Sequence, residues 1–175
     1  MRKLLLLRHA KAELGIAGQR DFDRALAERG HKAAALMGEY LARQGLRPDL
    51  ALVSPARRTK ETWELALAAF DEAPPLRLED GIYEAAPGTL IGLINTVAPG
   101  VHTLLLVGHN PGMEALADIL VGSGSPAARA RMDEKFPTAG LAVIDLDVDR
   151  WSAVEPGTGR LDRFVTPKTL AAAKP

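Results

Sequence analysis

Arginine and histidine recur in this 175-residue chain at three places where an apolar run stops. Leu4-Leu5-Leu6-Leu7 runs into Arg8-His9. Asp49 to Val53 runs into Ser54-Pro55-Ala56-Arg57-Arg58, and Thr103 to Val107 runs into Gly108-His109-Asn110-Pro111-Gly112. A guanidinium binds phosphate or carboxylate oxygens through two parallel N–H groups and stays charged at any working pH. Imidazole titrates near neutrality, so one ring can attack while a protonated one donates hydrogen bonds. Two histidines and at least two arginines, without a carboxylate cluster among them, suit a tetrahedral anion better than a divalent cation.

These residues need elements that bring them to one place. Short apolar runs ending in charged groups predict buried strands that deliver their last residues to the rim of a sheet. In open α/β folds the rim beyond the carboxyl ends of the strands is where ligands bind. Ser54-Pro55 and Asn110-Pro111 each read as an N-cap followed by proline at the first helical position. A helix N-terminus presents free N–H groups and a favourable dipole to an anion. Arg57 and Arg58 would project about 100° apart on the helix, so only one of them can face a pocket.

The rest of the chain fits that frame. Residues Ala10 to Arg29 are polar and irregular, a loop over the rim. Gly30 to Arg43 predicts a helix with Ala33, Leu36, Met37, Tyr40 and Leu41 inward, stopped by Gly45 and Pro48. A helix from Ser54 buries Thr59, Thr62, Trp63, Ala66, Leu67 and Phe70 and ends at Pro74-Pro75. Leu76 to Leu78 is a brief strand, Asp80 to Pro87 a loop and Leu90 to Val97 a helix. Met113, Leu116, Ala117 and Leu120 mark another helix, and Gly122 to Pro126 breaks the chain. Leu141 to Ile144 is a buried strand, and Trp151 to Val154 pairs with Leu161 to Val165 as a final hairpin. Alternating strands and helices predict an α/β fold: three layers, α/β/α, with a largely parallel central sheet flanked by helices. Residues 1–170 form one domain in this reading, and 171–175 are a tail expected to fray.

Composition narrows the function. Lys+Arg and Asp+Glu balance at 22 each, so no general field points to nucleic acid or an anionic membrane. There are no cysteines, which excludes disulfides and thiol catalysis and fits a cytoplasmic protein. Met1-Arg2-Lys3 before four leucines imitates a signal peptide, but Arg8 breaks the apolar run too early. No stretch reaches the length of a membrane span. Nothing in the sequence indicates an oligomeric state.

The chain resembles the histidine phosphatase superfamily, the phosphoglycerate-mutase-like proteins, and within it the short SixA-type phosphohistidine phosphatases. The resemblance rests on Leu-Arg-His-Ala-Lys at the N-terminus, Ser54-Pro-Ala-Arg-Arg-Thr-Lys-Glu-Thr62 and Val-Gly-His-Asn-Pro-Gly. Weaker matches are Asp23-Arg-Ala-Leu-Ala-Glu-Arg-Gly30, Tyr83-Glu84-Ala85 and Pro137-Thr138-Ala139. It implies that His9 is a nucleophile that becomes phosphohistidine. It implies that Arg8, Arg58 and His109 bind the phosphoryl oxygens, with Arg58, four residues after Ser54, in preference to Arg57. Lys11, Arg24 and Asn110 are further pocket candidates. Ala10 follows the nucleophile where the superfamily more often has glycine, a substitution that occurs in the short branch. The helical insertion that carries a general acid in longer members has no counterpart here, and Glu84 is the candidate acid.

The expected reaction is a two-step phosphoryl transfer through His9, with Arg8, Arg58 and a protonated His109 on the equatorial oxygens. It implies no metal and no cofactor, since the arginines neutralise the phosphate. The expected substrate is a phosphorylated protein carrying phosphohistidine. The alternatives are a broad phosphomonoesterase acting on a small phosphate ester, a mutase, and a non-catalytic phosphate-binding module. His31 and His102 read as an exposed helical residue and a turn residue. Asp145, Asp147 and Asp149 lack the glycine and distal glutamate of a calcium loop.

Overall fold

The four leucines after Lys3 form a strand with both faces buried, and the sheet grows outward from it. In the computed structural model, which describes residues 1–173, β1 (Arg2–Arg8) lies between β4 (Thr103–Gly108) and β6 (Leu141–Leu146). Leu4 and Leu6 point to one face of the sheet and Leu5 and Leu7 to the other, all four fully buried. β4 repeats the pattern with Leu104 and Leu106 against Leu105 and Val107. Each leucine taken from water contributes roughly 2 kcal/mol, which is why the run tolerates no polar residue.

The order of the seven strands is β3-β2-β4-β1-β6-β7-β5, with β2 at Leu50–Val53, β3 at Leu76–Leu78, β5 at Val121–Gly124 and β7 at Gly159–Val165. Only β6 runs against its neighbours; the other pairings are parallel. One face is covered by α1 (Glu28–Arg43), α2 (Arg57–Leu67) and α6 (Pro167–Ala173). The other is covered by α3 (Pro87–Asn95), α4 (Gly112–Leu120) and α5 (Pro126–Glu134). This is the expected α/β/α arrangement with a largely parallel sheet. No helix among the described residues is long and apolar enough to cross a membrane.

Register aligns the strand ends. Arg8 pairs with Gly108, and Val53 pairs with Val107. The next residues continue the ladder, His9 N–H donating to Gly108 O at 3.0 Å and Ser54 N–H to Val107 O at 3.1 Å. His9, Ser54 and His109 therefore leave the sheet side by side.

Several local expectations are corrected. Ser54 does not cap α2; that helix starts at Arg57 with Ala56 at its N-cap and no side-chain capping bond. The chain makes a turn first, and the Ser54 hydroxyl is used elsewhere. The Ser-Pro cap occurs instead at Ser125-Pro126, where Ser125 Oγ accepts from Ala128 N at 3.2 Å and opens α5. α5 escaped the periodicity reading because only Ala128 and Met132 of its nine residues are buried. Residues 122–126 do not simply break the chain, since Val121 to Gly124 pair in parallel with β7. The glycines permit this. A Cβ at Gly122 would collide with the Gly157 carbonyl, and Gly124 has φ 126°.

The expected final hairpin is also different. Trp151–Ala153 is a short 3-10 turn, and β7 pairs with β6 instead. Trp151 is fully buried, donates from Nε1 to Val101 O at 2.6 Å, and is held by Asn95 Nδ2 on its own carbonyl at 2.9 Å. An indole that fills the core under a helix looks, in sequence, like an inward strand residue. In α1 the inward stripe is Gly30, Ala34, Met37, Gly38 and Leu41, so Ala33, Leu36 and Tyr40 lie only partly buried at its edge. The tail expected to fray is helical through Ala173, and positions 174 and 175 lie outside the described residues.

Candidate active site

An open cleft of about 760 Å³ lies beyond the carboxyl ends of β1, β2 and β4. Its lining contains all eight residues singled out from the sequence: Arg8, His9, Lys11, Arg24, Arg58, Glu84, His109 and Asn110. Arg57 is outside it, half exposed and 3.4 Å from Glu61, while the Arg58 side chain is only 7% exposed. The first turn of α2 makes that choice.

His9 is buried, and its Nδ1 lies 2.7 Å from the carbonyl oxygen of Ala10. Only an N–H can make that contact, so Nδ1 carries the proton and Nε2 keeps a lone pair. Burial first, then the positive charges of Arg58, Arg8 and Arg24, push the His9 pKa down to about 4 despite the Ala10 contact. The ring is neutral at pH 7. Its backbone is pinned by Ala139, whose N–H reaches Arg8 O at 3.1 Å and His9 O at 2.9 Å. Thr62 Oγ1 accepts from Ala10 N–H at 3.0 Å, tying the same turn to α2.

His109 stands 5.4 Å from His9, ring centre to ring centre. Its Nε2 is 2.8 Å from Ser54 Oγ, and its Nδ1 is buried without a protein partner. A hydroxyl can serve as donor or acceptor, so His109 can present a proton on Nδ1. The charged form expected from the sequence does not hold among the protein groups alone: burial, then Arg58 and His9, bring its pKa down to about 3. It is a neutral donor unless an anion offsets those charges.

Arg8 donates from Nη1 to Phe136 O at 3.1 Å, and Asn110 Nδ2 donates to the same oxygen at 3.0 Å. Asn110 Oδ1 accepts from Glu114 N–H at 3.2 Å across a cis Asn110–Pro111 peptide, but the expected cap is displaced by one residue: Pro111 is the N-cap, without a side-chain capping bond, and α4 starts at Gly112. The backbone donors anticipated from α4 are fewer. Met113, Glu114 and Ala115 give their N–H groups to His109 O, Asn110 Oδ1 and Pro111 O, and only Gly112 of that helix lines the cleft.

One residue that sequence reasoning left aside organises the cationic side. Asp21 accepts from Arg58 Nη2 at 3.0 Å, Arg24 Nε at 2.9 Å and the Tyr83 hydroxyl at 2.7 Å, and its backbone oxygen accepts from Arg58 Nη1 at 2.9 Å. The Tyr83 hydrogen bond, then Arg58 and Arg24, hold the carboxyl down at about 2. Burial and Asp21 in turn raise the Tyr83 phenol to about 12. The signal was faint: an acid between Arg20 and Arg24 reads as a local surface ion pair, and nothing in its spacing shows that Arg58, 37 residues on, completes it. Thr138 and Leu14 also line the cleft.

Glu84 sits on the lip, exposed, at φ 55°. With Ala139 at φ 59° it is one of two non-glycine residues in the left-handed region among those described; Glu84 lines the cleft, and Ala139 is the buried residue whose N–H holds the His9 backbone. Such strain, of order 1 kcal/mol or more, concentrates where a side chain or turn must be aimed. Arg8 Nε and Arg58 Nε, like His109 Nδ1, are buried without a partner. An unmet buried donor costs roughly 1–3 kcal/mol, and three around one cleft are an arrangement that an oxyanion would satisfy.

Residues 4–101 match the family model of the histidine phosphatase superfamily (branch 1). An uncharacterized protein of Mycobacterium tuberculosis is 44% identical over 166 residues, covering 93% of this chain and 100% of that one. The crystal structure of a putative phosphohistidine phosphatase SixA from Agrobacterium tumefaciens is 36% identical with a TM-score of 0.81, covering 95% of this chain and 98% of that one. A putative phosphohistidine phosphatase SixA from Nakamurella multipartitia is 26% identical with a TM-score of 0.79, covering 95% and 96%.

Proposed function

Because this chain belongs to the histidine phosphatase superfamily, we propose that it is a phosphohistidine phosphatase that removes the phosphoryl group of a phosphorylated protein through an intermediate on His9. The phosphatase class follows from the family; the nucleophile, the supporting residues and the substrate are our reading. One observation carries it: a neutral buried imidazole, its Nδ1–H tied to Ala10, beside three buried donors that lack acceptors.

In the first step the His9 Nε2 lone pair forms a bond to phosphorus as the bond to the leaving group breaks. Arg8 and Arg58 carry the charge of the equatorial oxygens, the largest contribution in a loose transition state. An oxyanion between the arginines also offsets the burial, and then the repulsion by Arg58, that keep His109 neutral, so His109 takes up a proton as substrate binds. Ala10 O stabilises the positive charge that develops on the His9 ring, as a buried acceptor does for an attacking imidazole. In the second step water attacks the phosphohistidine, the P–N bond breaks, and His9 recovers its lone pair as phosphate leaves.

Asp21 is unsuited to protonating the leaving group, because three donors hold it ionised. Glu84, free on the lip, takes that part for an alkoxide leaving group. A phosphorylated imidazole departs more readily and needs less help, which is why phosphohistidine is the substrate we favour.

Phosphate release from a phosphohistidine protein and from a generic phosphate ester tests the reading. His9→Ala should reduce both to background, and residual turnover above about 1% would remove the nucleophile assignment. Glu84→Gln should slow the ester by roughly 100-fold while sparing phosphohistidine. Equal rates on the ester for Glu84→Gln and the unmodified enzyme would dismiss the acid.

A further inference from the structure

Lys11 and Thr138 line two cavities at once. Beyond them the cleft continues into a groove of about 640 Å³ between α1, α5 and α6, lined by Arg29, Arg131, Lys135 and Lys168 as well as Lys11. Those five cations face a single acid, Glu134. None of the five is within ion-pair distance of an acidic group among the described residues. Arg131 is steadied by Phe164 O at 3.0 Å, and the floor is apolar, with Ala33, Pro137, Phe164 and Pro167.

The hollow between α4 and α5 has the other sign. Glu114, Asp118 and Asp133 line it beside Pro111. In a chain with 22 acids and 22 bases, five cations against one acid in this groove are a local arrangement rather than an average. A phosphate ester of metabolite size is held by the cleft and has no use for a second groove. Nucleic acid would gain from the basic groove but needs a wider basic field than a chain of balanced charge offers. A folded or extended protein with an acidic segment next to its phosphorylated residue matches a groove of this sign, and the place of that groove beside the cleft fixes the segment's direction.

We infer that the groove of Lys11, Arg29, Arg131, Lys135 and Lys168 docks an acidic segment of the phosphoprotein substrate, next to the residue being dephosphorylated. This rests on the phosphatase reading of the neighbouring cleft. The apolar floor takes the stems and side chains of that segment while the cations pair with its carboxylates at the rim. Such rim pairs act mainly on association and are weakened by salt.

The test uses a short phosphohistidine peptide with a run of glutamates on one side, the same peptide with serines in their place, and a small aryl phosphate. We expect the full chain to favour the acidic peptide in kcat/KM, with a preference that fades as salt is raised. Lys135→Glu combined with Lys168→Glu should reduce kcat/KM for the acidic peptide roughly tenfold and leave the aryl phosphate unchanged, neither residue lying on the cleft. Equal turnover of acidic and serine peptides by the unmodified chain overturns the docking. So does a double variant that treats all three substrates as the unmodified chain does.

Fluorescence anisotropy of the unphosphorylated acidic peptide separates this claim from the one beneath it. If no substrate releases phosphate but the peptide binds and the double variant loses it, the docking stands and the phosphatase reading falls. If the peptide binds no better than its serine counterpart, the docking falls whatever the catalytic result.

Discussion

Asp21 is half exposed, yet it aims a buried arginine. The fully ionised carboxylate gives Arg58 one of its two anchors and the Tyr83 hydroxyl its only hydrogen-bond partner among the described residues. A charge-assisted hydrogen bond is about twice as strong as a neutral one, so replacing the charge while keeping the shape is informative. Asp21→Asn should lower kcat/KM by roughly tenfold through a misplaced Arg58. It should also bring the Tyr83 phenol down from about 12 toward its ordinary range, since a negative charge that disfavoured ionisation is gone. Ultraviolet titration reads the second effect and steady-state kinetics the first. A faster enzyme would mean that Asp21 competes with the substrate for Arg58 rather than aiming it. At this scale the sequence was legible for Arg8, His9 and His109, which stand where an apolar run stops, and for Arg58 through the family resemblance that set it before Arg57. It was illegible for Asp21, whose partners come from α2 and from the turn at Tyr83.

Among the elements, α1 and α2 do more for the cleft than cover the sheet. α2 sets Arg58 inward, and α1 follows the loop that carries Lys11, Asp21 and Arg24. The two helices touch at Gly38, where a Cβ would run into the backbone of Ala66. Such an approach fixes their separation, and overpacking a contact of this kind costs roughly 1–3 kcal/mol. Gly38→Ala should therefore lower stability by about 2 kcal/mol in urea unfolding, even though alanine is the better helix former. A neutral or stabilising result would show that α1 can slide away from α2 at little cost. The apolar stripe of α1 was readable, but its centre was not. Glycine carries no hydropathy signal, and Gly30 and Gly38 turned the buried face toward Ala34. For the same reason β5 and α5 were missed: close backbone approach and alanine-rich packing leave no periodic apolar trace.

For the whole molecule, two buried histidines with lowered pKa values couple the site to stability. In the unfolded chain both titrate near 6.5, whereas in the folded chain they do so at about 4 for His9 and about 3 for His109. Between those limits the unfolded state binds protons that the native state refuses, so stability rises with pH there and falls on acidification. Each histidine contributes a slope of up to about 1.4 kcal/mol per pH unit. Asp21 adds to the loss only below about pH 4, where the unfolded carboxylate is protonated and the native one is not. Urea midpoints should therefore decline as pH is lowered from about 6.5 to 4, and His109→Gln should flatten part of that decline. A midpoint that stays level across this window would contradict the burial assigned to both rings.

Alternating apolar runs and turn residues determined by themselves that this chain would build an α/β/α sandwich, with Arg8-His9 and His109 at two strand ends and Arg58 at a helix start. Those are local properties, set by which side chains water excludes and which residues a helix start tolerates. The direction of β6, the parallel edge strand β5 and the place of Trp151 depended on which surfaces met after collapse. So did the union of Asp21 with Arg58 and Tyr83, and the gathering of five cations in one groove beside the cleft. Side chains distant in sequence share an environment only once the sheet has brought them together, and charge, burial and hydrogen bonding are properties of that environment.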